Sequence, residues 1–180
     1  MKNQLLTRLI NDVTINIYNL TDILLPNITL FIGVKTRIMR LFWNIGPKSS
    51  IRKGNRIRFL KDFNIGVNTY INESNFFDNP SPITIGDDCF VGYQNLFLTG
   101  NHIEKDKVRP ENEGKNYYSK PITIGNNVWI TSNCTILPGT VIEDNVILSA
   151  GSVANGRLEK GWIYRGNPAK KVRRTKGVVR

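Results

Sequence analysis

Aliphatic residues recur at every sixth position through the second half of the chain. From Ile124 the series runs through Ile130, Ile136 and Ile142 to Leu148. An α-helix repeats about every 3.6 residues and a simple strand alternates, so neither produces this spacing. A solenoid with one short strand and one turn in each six-residue block does produce it, and three blocks make a triangular coil of about 18 residues. The period therefore predicts a parallel β-helix.

The same period can be followed backwards to Ile51, with short slips before Ile65 and Ile85. The fifth position of each block is small or polar, which suits a narrow interior. Cys89 and Cys134 occupy this position, so we expect them to pack in the core rather than form a disulfide or a metal site.

The period stops at residues 99–120, TGNHIEKDKVRPENEGKNYYSK, and resumes at Ile124. A long loop extruded from a regular coil is usually functional.

The two ends of the chain differ from this centre. Residues 1–50 are expected to form a helical segment, with one helix before Pro26 and a second from Val34 to Trp43. The first interpretation is a cap over the open end of the solenoid, and the second is a basic helix lying on an anionic membrane surface. Residues 51–153 then form the β-helix, and residues 154–180 form a strand and a basic tail.

Charge is distributed unevenly over the 180 residues, of which 40% are apolar. The net charge of +11 comes from the ends, because residues 63–150 hold only 5 basic against 10 acidic side chains. No nucleic-acid motif accompanies the basic ends, so we expect no nucleic-acid partner. No apolar run has the length of a membrane span and no cleavable leader is recognisable, which predicts a cytoplasmic protein.

The chain contains a single histidine, His102, at the start of the extruded loop. Histidine has an unperturbed pKa close to neutrality, so His102 is the leading candidate for a general base, although an ordinary surface role is equally compatible with its position. Solenoid carbonic anhydrases bind zinc through three histidines, and a chain with one histidine cannot build such a site. A serine nucleophile is not indicated, since there is no GxSxG motif.

Taken together, TGNH, KPITIGNNVWI, ILPGTVI, SAGSV and RGNPAK resemble the hexapeptide-repeat acetyltransferases over residues 65–174. The most similar branch includes galactoside and maltose O-acetyltransferases and the enzymes that acetylate capsule, colanic-acid and O-antigen polysaccharides. The resemblance implies a left-handed β-helix, an exception to right-handed crossovers. It also implies a homotrimer with acetyl-CoA between neighbouring solenoids, a sugar or glycan acceptor, and no metal.

The resemblance assigns a role to individual residues. His102 matches the catalytic base, and the backbone N–H of Ser132 matches an oxyanion donor. The residues matched to acceptor binding are Asn72 and Asp78, for which turn formation is the alternative role. Asn101, which precedes the histidine, is expected to orient either His102 or the acceptor. The residues matched to cofactor binding are Trp129, Ser132, Ala150, Asn155, Lys170, Lys171, Arg173 and Arg174. Packing on a neighbouring subunit is the alternative for Trp129, and a solvated tail is the alternative for the basic residues.

The chain also departs from the family pattern. It has Thr131, Glu143 and Ser149 where glycine is usual, and Asn155-Gly156 replaces a Thr-Lys pair near the adenosine end, where Arg157 or Lys160 could substitute for the lysine. The expected function is O-acetylation of a sugar in surface polysaccharide synthesis. N-acetylation of a nucleotide-linked amino sugar or of a small xenobiotic remains open, as does a solenoid that is only a scaffold. Peripheral contact with the inner membrane surface is a further hypothesis.

Overall fold

The computed structural model describes residues 2–24, 29–40, 43–59, 62–102 and 117–176. Two helices, α1 (Lys2–Leu24) and α2 (Thr29–Met39), precede a solenoid of short strands. The second helix therefore begins and ends earlier than the expected Val34 to Trp43. Neither helix in the described part of the chain has the length and apolar character that a bilayer crossing requires.

Three parallel sheets form the faces of a triangular prism. Sheet 1 contains β1 (Ser50–Ile51), β4 (Tyr70–Ile71), β7 (Phe90–Val91), β12 (Trp129–Ile130), β15 (Ile147–Leu148) and β18 (Trp162–Arg165), with β19 (Lys170–Arg174) antiparallel on its end. Sheet 2 contains β2 (Arg56–Ile57), β5 (Phe76–Asp78), β8 (Leu96–Leu98), β13 (Thr135–Ile136) and β16 (Val153–Ala154). Sheet 3 contains β3 (Phe63–Ile65), β6 (Ile83–Ile85), β11 (Ile122–Ile124), β14 (Val141–Ile142) and β17 (Arg157–Leu158).

The chain visits sheets 1, 2 and 3 in turn and makes about five coils of a left-handed β-helix, which confirms the predicted fold. Every sixth-position residue lies inside the prism: Ile124, Ile130, Ile136, Ile142 and Leu148 are all fully buried. Sheet 2 continues to β16, sheet 3 to β17 and sheet 1 to β18, so the regular coils run past Val153.

The corners of the prism explain the Asn and Gly residues between the strands. Turns of this kind need one residue with positive φ, which Asn and Gly adopt most readily. Asn68, Asn133 and Asn145 have φ values of 53°, 58° and 59°, and Gly139 has 80°. At these corners the left-handed residue closes the turn and aims the next short strand along the next face.

The two helices cover the first coil. Tyr18 of α1 is buried, donates a hydrogen bond to the Asn55 carbonyl at 2.8 Å and packs edge-on against Trp43. Asp22 accepts a hydrogen bond from the Gly54 N–H at 2.6 Å and pairs with buried Lys35 of α2. These contacts place polar and aromatic groups of the helices against the first coil.

The buried cysteines pack as expected. Cys89 and Cys134 are both buried and unpaired, and their thiols donate to the carbonyls of Gly125 and Ser149 in the next coil. Burial raises the pKa of Cys89 to about 11. A protonated, enclosed thiol is a packing group rather than a nucleophile.

Candidate active site

A two-stranded hairpin stands where the six-residue period is interrupted. After Thr99 the chain leaves sheet 2 and forms β9 (Gly100–His102), which pairs with the antiparallel β10 (Tyr117–Ser119) before the chain rejoins sheet 3. His102 lies directly opposite Tyr117 in this pairing. The intervening residues 103–116, which make up most of the extruded loop, lie outside the described residues.

His102 is exposed at the outer end of β9. Its backbone N–H donates to Oδ1 of Asn101 at 2.8 Å, so the neighbouring side chain fixes the main chain at this point. The imidazole meets the Tyr117 ring edge-on, with 5.6 Å between ring centroids. Among the described residues no hydrogen bond is made by the ring nitrogens of His102, so both are available to a ligand.

Tyr117 connects His102 to a charged pair beneath the hairpin. Its hydroxyl packs against Gly100, where any side chain would collide with it. Asp78, at the end of β5, accepts a hydrogen bond from Arg58 at 2.8 Å. Burial, and then the Asp78 carboxylate, raise the pKa of Tyr117. His102, Asn101 and Asp78 therefore gather at one place, together with Tyr117 and Arg58.

Sequence reasoning did not single out Tyr117 or Arg58. The only available signal for Tyr117 was its position in the segment NYYSK, which leads back into the resumed period at Ile122 and so had to return alongside the outgoing TGNH. Arg58 carried no signal, because its contact with Asp78 joins two successive coils.

A second group of predicted residues lies on another edge of the prism. Asn72, Ser132 and Ala150 all fall in the turns between sheet 1 and sheet 2, which we call the first edge. The pairing of Ile130 with Leu148 puts Ser132 and Ala150 at equivalent positions of adjacent coils, about 4.8 Å apart. The hairpin and Asp78 lie on the second edge, between sheets 2 and 3.

Two backbone donors on the first edge are available to a ligand. The N–H groups of the neighbouring Thr131 and Ser149 donate to carbonyls of the next coil. In the described part of the chain, no hydrogen bond uses the N–H of Ser132 or of Ala150. At the same position one coil earlier, the Tyr93 N–H is already bound to Oγ of Ser132 at 3.2 Å. The fold thus leaves two adjacent N–H groups free at one corner.

The Asn72 side chain is more deeply buried than contact with a ligand requires. It is 4% exposed, and its Oδ1 accepts the Glu73 N–H at 3.1 Å. Its carbonyl accepts hydrogen bonds from the side chains of Asn55 and Asn75. These contacts show that Asn72 helps to form the turn, and its contact with the acceptor stays a prediction.

Trp129 projects from the outer surface of sheet 1, in the strand that leads to Ser132. It is 38% exposed and meets Phe90 edge-on, with 6.3 Å between centroids. Phe90 in turn stacks on Tyr70 at 5.4 Å. Sheet 1 therefore presents a row of half-exposed aromatic rings beside the first edge.

The predicted phosphate-binding residues lie at the far end of the solenoid. Lys170, Lys171, Arg173 and Arg174 are exposed on β19, a paired strand rather than a loose tail. Lys171 pairs with Glu159 at 2.6 Å, and the Arg174 guanidinium lies 4.3 Å from the Trp162 ring. Asn155 is exposed on the second edge, apart from Ser132 and Ala150.

Two other basic residues there are engaged with acids. Arg157 pairs with Glu143 and Lys160 with Asp144. A hydrogen bond from the Lys160 N–H, followed by Arg157, lowers the pKa of Glu143.

The two groups of residues are separated by a whole face of the prism. A face is one six-residue block wide, which at about 3.3 Å per residue is roughly 20 Å when fully extended. Groups that react with each other must approach to about 3–3.5 Å. Within one chain, the His102 hairpin and the free N–H groups of the first edge therefore belong to different clefts.

Comparisons with known proteins agree with this architecture. The family model described as "Bacterial transferase hexapeptide (six repeats)" matches residues 121–156, and "Hexapeptide repeat of succinyl-transferase" matches residues 82–94. A putative acetyltransferase of Dictyostelium discoideum is 31% identical over 134 residues, which cover 74% of this chain and 69% of the relative. The chain belongs to the hexapeptide-repeat acetyltransferase family.

Other members of the hexapeptide-repeat acetyltransferases are similar to this chain. A putative lipopolysaccharide biosynthesis O-acetyl transferase of Escherichia coli K12 is 29% identical, over 67% of this chain and 62% of the relative. A hexapeptide-repeat-containing acetyltransferase of Vibrio cholerae, solved with acetyl coenzyme A, superimposes with a TM-score of 0.77 at 26% identity. The match covers 92% of this chain and 89% of that chain. The chain spans only 55 to 66% of the length of the first curated relatives that it matches.

Proposed function

We propose that this protein is an acetyl-CoA-dependent O-acetyltransferase that acts on a sugar hydroxyl in the synthesis of a surface polysaccharide. Family membership supports acetyl transfer, and the similarity to an acetyltransferase solved with acetyl coenzyme A supports the donor. The similarity to a relative named for lipopolysaccharide biosynthesis supports a glycan acceptor.

The observation that carries the proposal is the exposed imidazole of His102, held on a hairpin with no described residue hydrogen-bonded to either ring nitrogen. His102 takes the proton from the acceptor hydroxyl while the acceptor oxygen bonds to the carbonyl carbon of the acetyl thioester. The imidazolium then returns the proton to sulfur as the carbon–sulfur bond breaks, which gives the acetyl ester and the CoA thiol. A sugar hydroxyl is too weak an acid to ionise beforehand, and such assistance contributes about 10²–10⁴ in rate.

The free N–H of Ser132 suits the negative charge that builds on the thioester oxygen. A fixed backbone donor aimed at this oxygen stabilises the charge without reorganisation. The neighbouring N–H of Ala150 suits an amide carbonyl of the pantetheine arm, and Trp129 offers an apolar surface beside it. The cations of β19, Lys170, Lys171, Arg173 and Arg174, suit the adenosine phosphates. Asn155 lies on the second edge, so we expect it to reach an acetyl-CoA bound at the first edge of a neighbouring chain.

Asp78 and Asn101 suit contact with the acceptor, since Asn101 adjoins His102 and Asp78 interacts with Tyr117 of the same hairpin. A carboxylate and an amide oxygen accept hydrogen bonds from sugar hydroxyls. Asn72 contributes by shaping the first edge through its backbone contacts.

The separation of His102 from Ser132 supports a trimer as the active form. If the second edge of one chain faces the first edge of its neighbour, each cleft receives His102 from one chain and Ser132 from the other. Three chains around a threefold axis close this head-to-tail arrangement and form three equivalent sites.

Replacement of His102 by alanine tests the proposed function. Incubation with acetyl-CoA and a panel of glycans, followed by mass spectrometry, identifies the acetylated acceptor and the rate. We expect His102→Ala to lower turnover by at least about 10²-fold. Stabilisation by CoA, measured as the rise in thermal midpoint, should be kept because the donor-binding residues are unchanged.

The matched control is Thr123→Ala, an exposed outward position on β11 just beyond the hairpin. It should retain wild-type turnover. Equal turnover for His102→Ala and the control would leave the solenoid as a scaffold or assign the base to another residue.

A further inference from the structure

Helix α1 turns its more apolar face away from the solenoid. Thr14 and Tyr18 face the first coil and are buried, whereas Leu9, Val13, Leu20 and Leu24 are 59%, 49%, 54% and 66% exposed. The spacings of four, seven and four residues between these positions place them on one line of an α-helix. Scattered exposed leucines need no explanation, but an apolar line along one side of a helix, interrupted only by Asn16, indicates an interaction surface.

The contacts of the buried face explain why α1 is oriented this way. Tyr18 and Asp22 make hydrogen bonds to Asn55 and Gly54 in the first coil, and Asp22 also pairs with Lys35. The polar groups of the helix are thus used to close the coil. The aliphatic side chains are left on the outer side of the helix, where contact with water alone would not favour them.

Basic side chains lie beside the part of the first coil that α1 contacts. Lys53 and Arg56 flank Gly54 and Asn55, the two residues that α1 contacts, and both are exposed. Arg37 of α2 is exposed as well. The first 62 residues carry 11 basic and 3 acidic side chains. An apolar helical face bordered by cations matches the interface of an anionic bilayer, in which acyl chains lie beneath phosphate groups.

The second helix, for which the sequence raised a membrane role, has less of its apolar side exposed. In α2 the side chains of Ile32, Thr36 and Met39 are buried, so its apolar face packs onto the protein. The line on α1, from Leu9 to Leu24, has no such cover in the described part of the chain.

We propose that α1 lies in the plane of an anionic membrane surface, with Leu9, Val13, Leu20 and Leu24 in the acyl boundary. Lys53 and Arg56 then face the lipid phosphates. The solenoid would be held at the membrane by its first coil, with its other coils directed away.

Co-sedimentation with vesicles tests this proposal, with no acetyl-CoA present so that the outcome is independent of catalysis. One vesicle set is phosphatidylcholine alone, and the other contains about a quarter phosphatidylglycerol. The full chain should bind the anionic vesicles and bind the neutral ones at least about tenfold more weakly. Val13→Asp combined with Leu20→Asp should lower binding to anionic vesicles by at least about tenfold.

Two matched substitutions test the direction of the effect. Asn16 lies within the apolar line, so Asn16→Leu should strengthen vesicle binding, whereas Asn19→Leu, on the flank of the helix, should change it by less than about twofold. Lys53→Glu should weaken binding about fivefold or more, and added salt should remove this difference.

Equal binding of wild type and the Val13→Asp, Leu20→Asp variant would overturn the proposal. So would a change in oligomer size in that variant without a change in vesicle binding, because the apolar line would then be covered by another copy of the chain. Circular dichroism of each variant shows whether α1 is retained. Asn16→Leu keeps the proposal testable if the aspartate variant does not fold, since failure to strengthen binding also contradicts it.

Discussion

Ser132 illustrates how a single residue can carry chemistry through its backbone alone. It precedes Asn133, which has a φ of 58°, so it occupies the second position of its turn. Pro138 and Pro47 occupy the same turn position before Gly139 and Lys48, whose φ values are 80° and 62°. Proline is therefore compatible with this local geometry, because its fixed φ suits the second position of such turns.

This compatibility allows the backbone donor to be removed without a change of fold. If the Ser132 N–H stabilises the developing oxyanion, Ser132→Pro should lower turnover by about 10²–10³-fold. Ser132→Ala removes only the hydroxyl that accepts the Tyr93 N–H, and it should lower turnover by less than about fivefold. Steady-state kinetics with the identified acceptor measures both. Equal losses in the two variants would assign the effect to the hydroxyl or to packing.

The residues of the site differ in how far the sequence could predict them. His102 could be singled out, because it is the one histidine and stands where the period stops. Tyr117 could not, since its contact with His102 depends on the register of a hairpin whose strands are separated by residues 103–116. The turn positions of Ser132 and Ala150 follow from the period. Which corner N–H groups lack an acceptor depends on side chains of the adjacent coil, such as Oγ of Ser132 itself.

At the scale of elements, the six-residue period was a reliable guide because each strand is only two or three residues long. One inward residue per block, such as Ile130 or Ile136, is then enough to define the strand and its face. The helices were less predictable. The spacing of Ile38 and Leu41 predicts a helix from Val34, but α2 begins at Thr29 and ends at Met39.

Inside the turns of the first edge, three buried asparagines link the coils. Asn95 donates its N–H to Oδ1 of Asn75 at 2.9 Å, and Asn75 donates to Oδ1 of Asn55 at 3.0 Å. The Asn75 amide also donates to the Asn72 carbonyl. This column satisfies backbone groups that the strands cannot reach at the corner, and it explains why the fifth position of several blocks is polar although it is buried.

Removal of the central member of this column should destabilise the fold strongly. Asn75→Ala leaves the buried Asn95 N–H without its acceptor, at about 1–3 kcal/mol for an unsatisfied group. It also removes the hydrogen bonds from the Asn75 amide to the Asn72 carbonyl and to Oδ1 of Asn55, although each of these oxygens keeps one other donor. We expect a loss of about 3 kcal/mol in the free energy of unfolding, measured by denaturant titration. Thr84→Ala, on the exposed outer face of β6, should change it by less than about 0.5 kcal/mol. A similar small change for Asn75→Ala would show that water replaces the amide.

At the scale of the whole molecule, the decisive feature is that His102 and Ser132 lie on different edges of one prism. The sequence could not reveal this, because a six-residue period does not distinguish the three corners once an insertion interrupts the coil. The strand order does, since β8 lies in sheet 2 and β12 in sheet 1. A cleft that needs both residues must therefore be built from two chains.

Mixing of inactive variants tests this arrangement directly. His102→Ala and Ser132→Pro should each be nearly inactive alone, but differently tagged copies expressed together should form mixed trimers. If one chain supplies His102 and its neighbour supplies Ser132, half of the sites contain an intact His102, and half of those also contain an intact Ser132. Activity should then recover to about a quarter of the wild-type value.

The double variant expressed together with wild type gives the control and separates the two geometries. If the site lies between chains, this mixture should also show about a quarter of the wild-type activity, because both residues must come from wild-type chains independently. If each chain carried a complete site, the same mixture would show about half, and the two single variants would show no recovery. Purification through both tags excludes unmixed trimers, and for a site between chains the expected values then become about a third for the two single variants and about a sixth for the double variant with wild type.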